Sequence, residues 1–348
     1  GLVGSEMCIR DRAGSVNTPP NKDIRWEKTT TVNVGVDFAL FRHRLSGTIE
    51  YYNKYSVDLL AAINGSPTQG FGYTTLMTNN GKMVNRGVEI TLSGEIIRQK
   101  DFSWNASLLY AFNRNKVKHI SVQPSLWDSR ISMPTSYPMV GKPLYGIYAY
   151  KWAGLNENGD PQVYDAENNV TSGPARDYHA LVYCGTTVPI HNASLTNVLR
   201  YKGFEFSAML ILDAGHKLRS SNIPSINMSN GRITSTAKGI VDRWTQPGDV
   251  TDVPRLLFSN DTENFNTHRT ELYRYSDLFV YDASNIRLSN ISLAYRVPAH
   301  WCKKISLSGA RLQFNVENVA TFAFDSKANY DLGGKVKPNY VWGLYLNF

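Results

Sequence analysis

Apolar and polar residues alternate in long runs along this chain, and a period of two places successive side chains on opposite faces of a β-strand. In TVNVGVDFAL, Val32, Val34, Val36, Phe38 and Leu40 share one face, while Asn33, Gly35 and Asp37 occupy the other. After the short connection FRHR, LSGTIEYYNKY sets Leu45, Gly47, Ile49 and Tyr51 against Ser46, Thr48, Glu50 and Tyr52, as the return strand of a hairpin would. A second hairpin crosses RQKD, from the stripe Val88, Ile90, Leu92 and Ile96 to the stripe Phe102, Trp104, Ala106, Leu108, Tyr110 and Phe112. A third joins HNASLTNVLRY to GFEFSAMLILD through a tight turn at Lys202 and Gly203. In IRLSNISLAYRV the phase slips at Asn290, from Ile286 and Leu288 to Ile291, Leu293 and Tyr295, which predicts a β-bulge. The final run, NYVWGLYLNF, carries Tyr340, Trp342, Leu344, Leu346 and Phe348 on one face.

Long polar segments separate the hairpins at 61–80, 119–140, 154–189 and 214–277. Structureless loops of that length are uncommon in a compact domain and count against an ordinary sandwich. Short connections at one end and long ones at the other suit a barrel with tight periplasmic turns and long outer loops. The predicted fold class is therefore all-β, an antiparallel transmembrane β-barrel with long extracellular loops, and about ten residues per strand gives roughly 12 to 14 strands. Aromatic residues at strand ends, such as Tyr51, Trp104, Tyr110 and Phe112, suit an interfacial girdle. Tyr and Trp also favour strands of any kind, which is the competing reading of each one.

Composition narrows the picture further. Of 348 residues, 42% are hydrophobic and 12% aromatic, too many for a disordered chain. No apolar run approaches the roughly 20 residues of a spanning helix, and a mean hydropathy of −0.32 is what strands alternating between lipid and lumen produce. The net charge of +8 comes from 37 basic against 29 acidic residues, dispersed without a basic run or an RNA-binding or zinc-finger pattern. No nucleic-acid partner is expected. Cys8, Cys184 and Cys302 are far apart and odd in number, indicating neither a disulfide framework nor a zinc site. Residues 1–12, GLVGSEMCIRDR, have no strand alternation and resemble a translated sequencing adapter. They are set aside as a non-native leader, and the fold is read over 13–348.

Catalytic chemistry finds no foothold. The histidines His43, His119, His179, His191, His216, His268 and His300 are scattered, and no HExxH, GxSxG, P-loop or GxGxxG arrangement occurs. Neither an enzyme, nor a metal, nor a cofactor is expected.

An ordered series of segments then carries a family likeness: WEKTTTVNVGVDFALFRHRLSGTIEYYNKYSVDLL; NNGKMVNRGVEITLSG with Asn80, Gly81, Asn85, Gly87 and Glu89; VGKPLYGIYAYKWAGLNENGDPQVYD; LRYKGFEFSAMLILDAGHKL; DRWTQPGDVTDVPR; and DASNIRLSNISLAYRVP followed by NVEN. From about Trp26 to Phe348 the chain resembles the SusC/RagA type of TonB-linked outer-membrane transporter. Glu317 and Ser289 depart from that family's usual Gln and Arg. The resemblance implies the C-terminal part of a plugged barrel of about 22 strands, with the plug and TonB-contacting region having no counterpart here. It implies outer-membrane lipid as surroundings, a SusD-like surface lipoprotein as lid, energy delivered by TonB through the missing N-terminal region, and oligosaccharides or peptides as cargo. Trp127, Tyr137 and Trp244 would be the loop aromatics that stack on a sugar ring, the alternative being that they anchor their own loops. The stripe Tyr340, Trp342, Leu344, Leu346 and Phe348 resembles the outer-membrane assembly signal, with a buried final strand as the alternative. A passive porin-like barrel and a soluble all-β binding or adhesion domain are the competing functions.

Overall fold

A computed structural model describes residues 21–64, 75–122, 128–173, 177–228, 237–258, 267–332 and 337–348. The period-two runs form one antiparallel sheet in chain order. Its strands are β1 (Lys28–Leu40), β2 (Leu45–Asn64), β3 (Thr75–Arg98), β4 (Phe102–Ile120), β5 (His191–Tyr201), β6 (Phe204–Ala214), β7 (Asn285–Arg296), β8 (Gly309–Ala323) and β9 (Asn339–Asn347). The sheet is open: among the described residues, β1 and β9 each have a single partner.

Register fixes which face is which. One row crosses the sheet as Val36, Ile49, Ile90, Tyr110, Ala193, Leu212, Ile286 and Phe322. The next row toward the tight turns is Phe38, Gly47, Leu92, Leu108, Leu195, Leu210, Leu288 and Ala320. The opposite face alternates with these rows and carries Ser46, Ser93, Ser107 and Thr196 in one line and Glu50, Glu89 and Asn192 in another. A slip of one residue would invert both faces, so eight neighbouring pairings in agreement specify the register strongly.

The predicted irregularities are visible as well. Ser289 has no ladder partner between Leu288 and Asn290, which re-phases β7. A second bulge, which the alternation does not predict and which interrupts the stripe of Val88, Ile90, Leu92 and Ile96, skips Ile96, so Ile97 lies opposite Trp104. Lys202 takes a φ of 52° in the β5–β6 turn.

Two expectations change. Among the described residues the wall has nine strands, where strand length suggested 12 to 14. The excess residues lie in β2 and β3, which run for 20 and 24 residues, about twice a spanning length, and in the long connections. Those connections are not structureless. Gly146–Tyr150 pairs with Leu181–Thr186, Trp152–Leu155 and Val170–Thr171 flank Pro161–Tyr164, Lys217–Arg219 pairs with Val280–Asp282, and Asn227–Met228 runs parallel to Leu257–Phe258. Helix α1 (Thr267–Arg274) packs against this group.

Where the core sits separates the two competing architectures. The buried clusters, Tyr148, Tyr150, Val163, Ala180, Leu181 and Leu272, and beside them Ile226, Tyr273 and Phe279, belong to the loop unit. The wall's apolar rows stay uncovered: Val36 is 62% exposed, Leu312 51% and Trp342 77%. A soluble sandwich would bury such rows against each other.

One close approach locks β2 to β3. A Cβ built on Gly87 would lie 2.4 Å from the Tyr52 ring and 2.6 Å from the Phe112 carbonyl oxygen, so the ring of Tyr52 lies across the glycine. Gly87→Ala is expected to cost about 1–3 kcal/mol by overpacking, read as a lower urea midpoint of the refolded protein. Adding Tyr52→Ala should recover only part of it, since the carbonyl clash remains.

Candidate functional site

The loop unit is held by a buried ion network that draws on distant segments. Arg255 grips Asp160 with two hydrogen bonds, Nε to Oδ1 at 3.1 Å and Nη2 to Oδ2 at 2.8 Å. Arg269 of α1, only 2% exposed, donates Nε to the same Oδ1 at 2.7 Å, Nη2 to the Arg255 carbonyl at 2.8 Å and Nη1 to Asn227 Oδ1. Asp160 is aimed by a tight loop in which Asn156 Oδ1 accepts the backbone N–H groups of Asn158 and Asp160. Gly159 sits there at φ +74°, a region costly for any side chain, with the Trp244 ring against it. Arg219 forms a second clamp, donating to the carbonyls of Tyr148, Arg274 and Ser276 and stacking over Tyr275.

A strap at the base of this unit depends on charge. Lys217 Nζ lies 3.1 Å from Asp282 Oδ2 across the Lys217–Arg219 and Val280–Asp282 pair. Burial pushes the Asp282 carboxyl up, but hydrogen bonds from Ser284 and the Lys217 ammonium outweigh it and hold the pKa down at about 2. The strap's contribution is thus complete above the ordinary carboxylate pKa of about 4 and disappears as pH falls through about 2.

Burial raises the Cys184 thiol to about 11, so it is protonated at neutral pH. Cys302 is buried and its Sγ lies 3.8 Å from the Val297 carbonyl. Among the described residues no three potential metal ligands cluster.

The polar face of the wall offers a shallow groove of about 290 Å³, lined by Glu89, Thr91, Leu109, Asn192, Ser194, Ile211 and Asp213. Asn192 donates to Asp213 at 2.6 Å, and Arg287 lies 3.6 Å from the same carboxylate. Nearer the tight turns, Glu205 accepts from Arg200 at 2.7 Å and Arg311 at 3.1 Å. This face is wet, charged and self-paired, as a lumen requires. On the other face the amide of Asn197 falls within the apolar rows, and Trp104 Nε1 donates to its Oδ1 at 3.1 Å.

Of the loop aromatics singled out in the sequence, Trp127 lies outside the described residues. Tyr137 is half-buried on a turn, its N–H bonded to the Met133 carbonyl at 3.2 Å. Trp244 is half-buried against Gly159, with its N–H on the Val253 carbonyl. Tyr137 and Trp244 belong to separate segments and share no described contact. Tyr340, Trp342, Leu344 and Leu346 stand in line opposite Val316, Phe314, Leu312 and Ala310 on the apolar face, and Phe348 is 91% exposed beyond them. Sequence reasoning passed over the Asp160–Arg255–Arg269 network, although Asp160 and Arg255 lie in two of the segments that carried the family likeness. No local pattern joins them.

From His191 to Tyr201 the apolar face spans the eleven residues of β5, and their ten rises make about 34 Å of strand. At the usual tilt of about 40° this covers about 26 Å of depth, the height of an outer-membrane belt. An apolar exterior of bilayer height, a wet interior and long loops folded at one end define a class, the outer-membrane β-barrel. The chain belongs to the family described as TonB dependent receptor-like, beta-barrel, whose model matches residues 4–319, and it resides in the outer membrane. TonB-dependent receptor P3 of Formosa agariphila is 25% identical over 346 residues, covering 93% of this chain and 33% of the relative. TonB-dependent receptor SusC of Bacteroides thetaiotaomicron is 25% identical over 312 residues, covering 86% and 29%. A solved structure described as the RagAB peptide transporter superposes with a TM-score of 0.73 at 23% identity, covering 96% of this chain and 37% of that one. The chain thus spans about a third of the length of the curated relatives it matches.

Proposed function

We propose that the chain forms wall and extracellular loops of an active importer that takes up oligosaccharides or peptides, drawing energy from TonB and capturing cargo beneath a SusD-like surface lipoprotein. The observation that carries this is the separation of cores: the wall keeps its apolar rows for lipid, while the loops fold around Tyr148, Tyr150 and Leu272 into a shaped outer surface. Such a surface suits a lid and a selected cargo better than an open pore does. In lipid a spanning sheet has to close, so the wall works with further strands, and TonB engages an N-terminal region that these strands do not provide. Residues 13–348 are taken as the barrel segment and 1–12 as a leader foreign to it. Tyr137 and Trp127 are proposed as sugar-stacking residues, and Trp244 as support for the loop beneath. The stripe from Tyr340 to Phe348 is proposed as the element read during outer-membrane assembly.

The test is uptake of labelled oligosaccharides and peptides by cells carrying the full-length protein. Uptake should stop in a strain lacking TonB and on addition of a protonophore. Uptake that survives both treatments identifies a passive porin instead. Recovery of the protein in the soluble fraction identifies a binding or adhesion domain.

A further inference from the structure

Just above the apolar belt, on the same outward face, β3 and β4 change chemistry. Val88 and Phe112 are cross-strand partners at the belt's upper rim, and two residues farther toward the loops Arg86 stands directly opposite Arg114. Lys116 follows opposite Val84, and Arg86, Arg114 and Lys116 are all exposed. Like charges directly opposite on adjacent strands repel. The nearest paired carboxylates, Glu50 of β2 and Glu89 of β3, belong to the lumen face and do not relieve them. Among the described residues, no ion pair involves Arg86, Arg114, Lys116 or Lys142. Arg86 donates Nε to Asn53 Oδ1 at 3.0 Å, which fixes its guanidinium in place.

Beside the arginine pair runs a groove of about 370 Å³. It begins on Phe112 and His191 at the rim of the belt and ends at Arg114 and Lys142, whose ammonium sits 4.9 Å from the Tyr183 ring centroid. The groove thus joins the belt's rim, at the Phe112 ring, to the cationic side chains of Arg114 and Lys142 beyond it. Long loops mark this side as extracellular, so the leaflet in contact is the outer one.

We propose that this surface binds the phosphorylated headgroup of an outer-leaflet lipid, with phosphate oxygens on Arg86 and Arg114 and acyl chains along Val88, Phe112 and Tyr51. Guanidinium pairs match phosphate oxygens bidentately, and a bound phosphate removes the repulsion that the bare pair suffers. The apolar rim continuous with the belt selects a lipid over a free anion, which would gain nothing from it. The proposal rests on the outer-membrane placement, which heat-modifiable migration of the inserted wild-type protein tests separately.

The experiment uses the full-length transporter, stripped of lipid in detergent and titrated with diphosphorylated lipid A. Binding by Arg86→Gln/Arg114→Gln should be weaker by about tenfold or more, the loss of charge-assisted hydrogen bonds. Lys303→Gln/Lys304→Gln, which removes equal charge at the tight-turn end, should bind as wild type does. Inorganic pyrophosphate should bind at least about tenfold more weakly than the lipid. Should the arginine variant not insert, Lys116→Gln/Lys142→Gln carries the same expectation. Wild-type affinity in the variants, an equal loss in the turn-end control, or pyrophosphate binding as tightly as lipid would each overturn the proposal.

Discussion

Replacing Asp160 with alanine is expected to open the extracellular loop unit while leaving the wall inserted. Arg269 is essentially sealed from water and places Nε on Asp160, and Arg255 spends both its bonded nitrogens on the same carboxylate. Removing the anion takes away the one carboxylate that both guanidinium groups share. Breaking a buried pair by deleting one partner typically costs about 3–5 kcal/mol, because the surviving charge stays desolvated. The unit has few other means of absorbing that loss: its strands are two to six residues long and its helix only eight. Limited trypsin digestion of the folded protein in detergent reads the outcome. The variant should be cut between 154 and 280 under conditions where the wild type resists, and both should keep heat-modifiable migration, since the wall shares none of these contacts. Asp160→Asn, which keeps an acceptor without the charge, should fall between them. Unchanged protease resistance in Asp160→Ala would show that packing around Tyr148 and Tyr273 suffices without the ions.

The contrast between wall and loops also explains what was legible beforehand. Each wall strand carries its own instruction, since alternation within about ten residues states which face meets lipid, and a hairpin partner follows within a few residues. The β1–β2, β3–β4 and β5–β6 pairings and the bulge at Ser289 follow from such local rules. The strand count did not, because about ten residues per strand takes no account of β2 and β3, which continue for 20 and 24 residues, or of the residues folded into the loop unit. The loop unit is built on the opposite principle. Asp160 and Arg269 are 109 residues apart, and Trp152 bonds Asp277 across 125. No periodicity encodes partners at that separation. The signal that existed was indirect: a glycine beside an asparagine and an aspartate at 156–160, and an arginine after proline at 255. Such residues mark a shaped turn without saying what the turn receives. The arginine pair above the belt was equally hidden, since facing charges become visible only when register is known.

A charge placed in the leucine row should be the most damaging change to the wall. Leu108 pairs with Leu92 on one side and Leu195 on the other, midway along β4 between Phe102 at the tight-turn end and Arg114 above the rim. An arginine on the lipid face at that depth costs about 2–4 kcal/mol in a transmembrane barrel, falling toward zero near either interface. Leu108→Arg in the full-length protein, refolded into vesicles and titrated with urea, should therefore lose about that much stability. The neighbouring Ser107 supplies the control. Its side chain turns to the other face, where its hydroxyl lies 3.3 Å from that of Ser93. Ser107→Arg should reach water in the lumen and cost less than about 1 kcal/mol, as exposed substitutions usually do. The difference between adjacent positions isolates the face from strand propensity, length and position along the chain. Equal costs at 107 and 108 would mean that the two faces meet the same surroundings, and the alternation that orients the whole wall would then lose its physical cause.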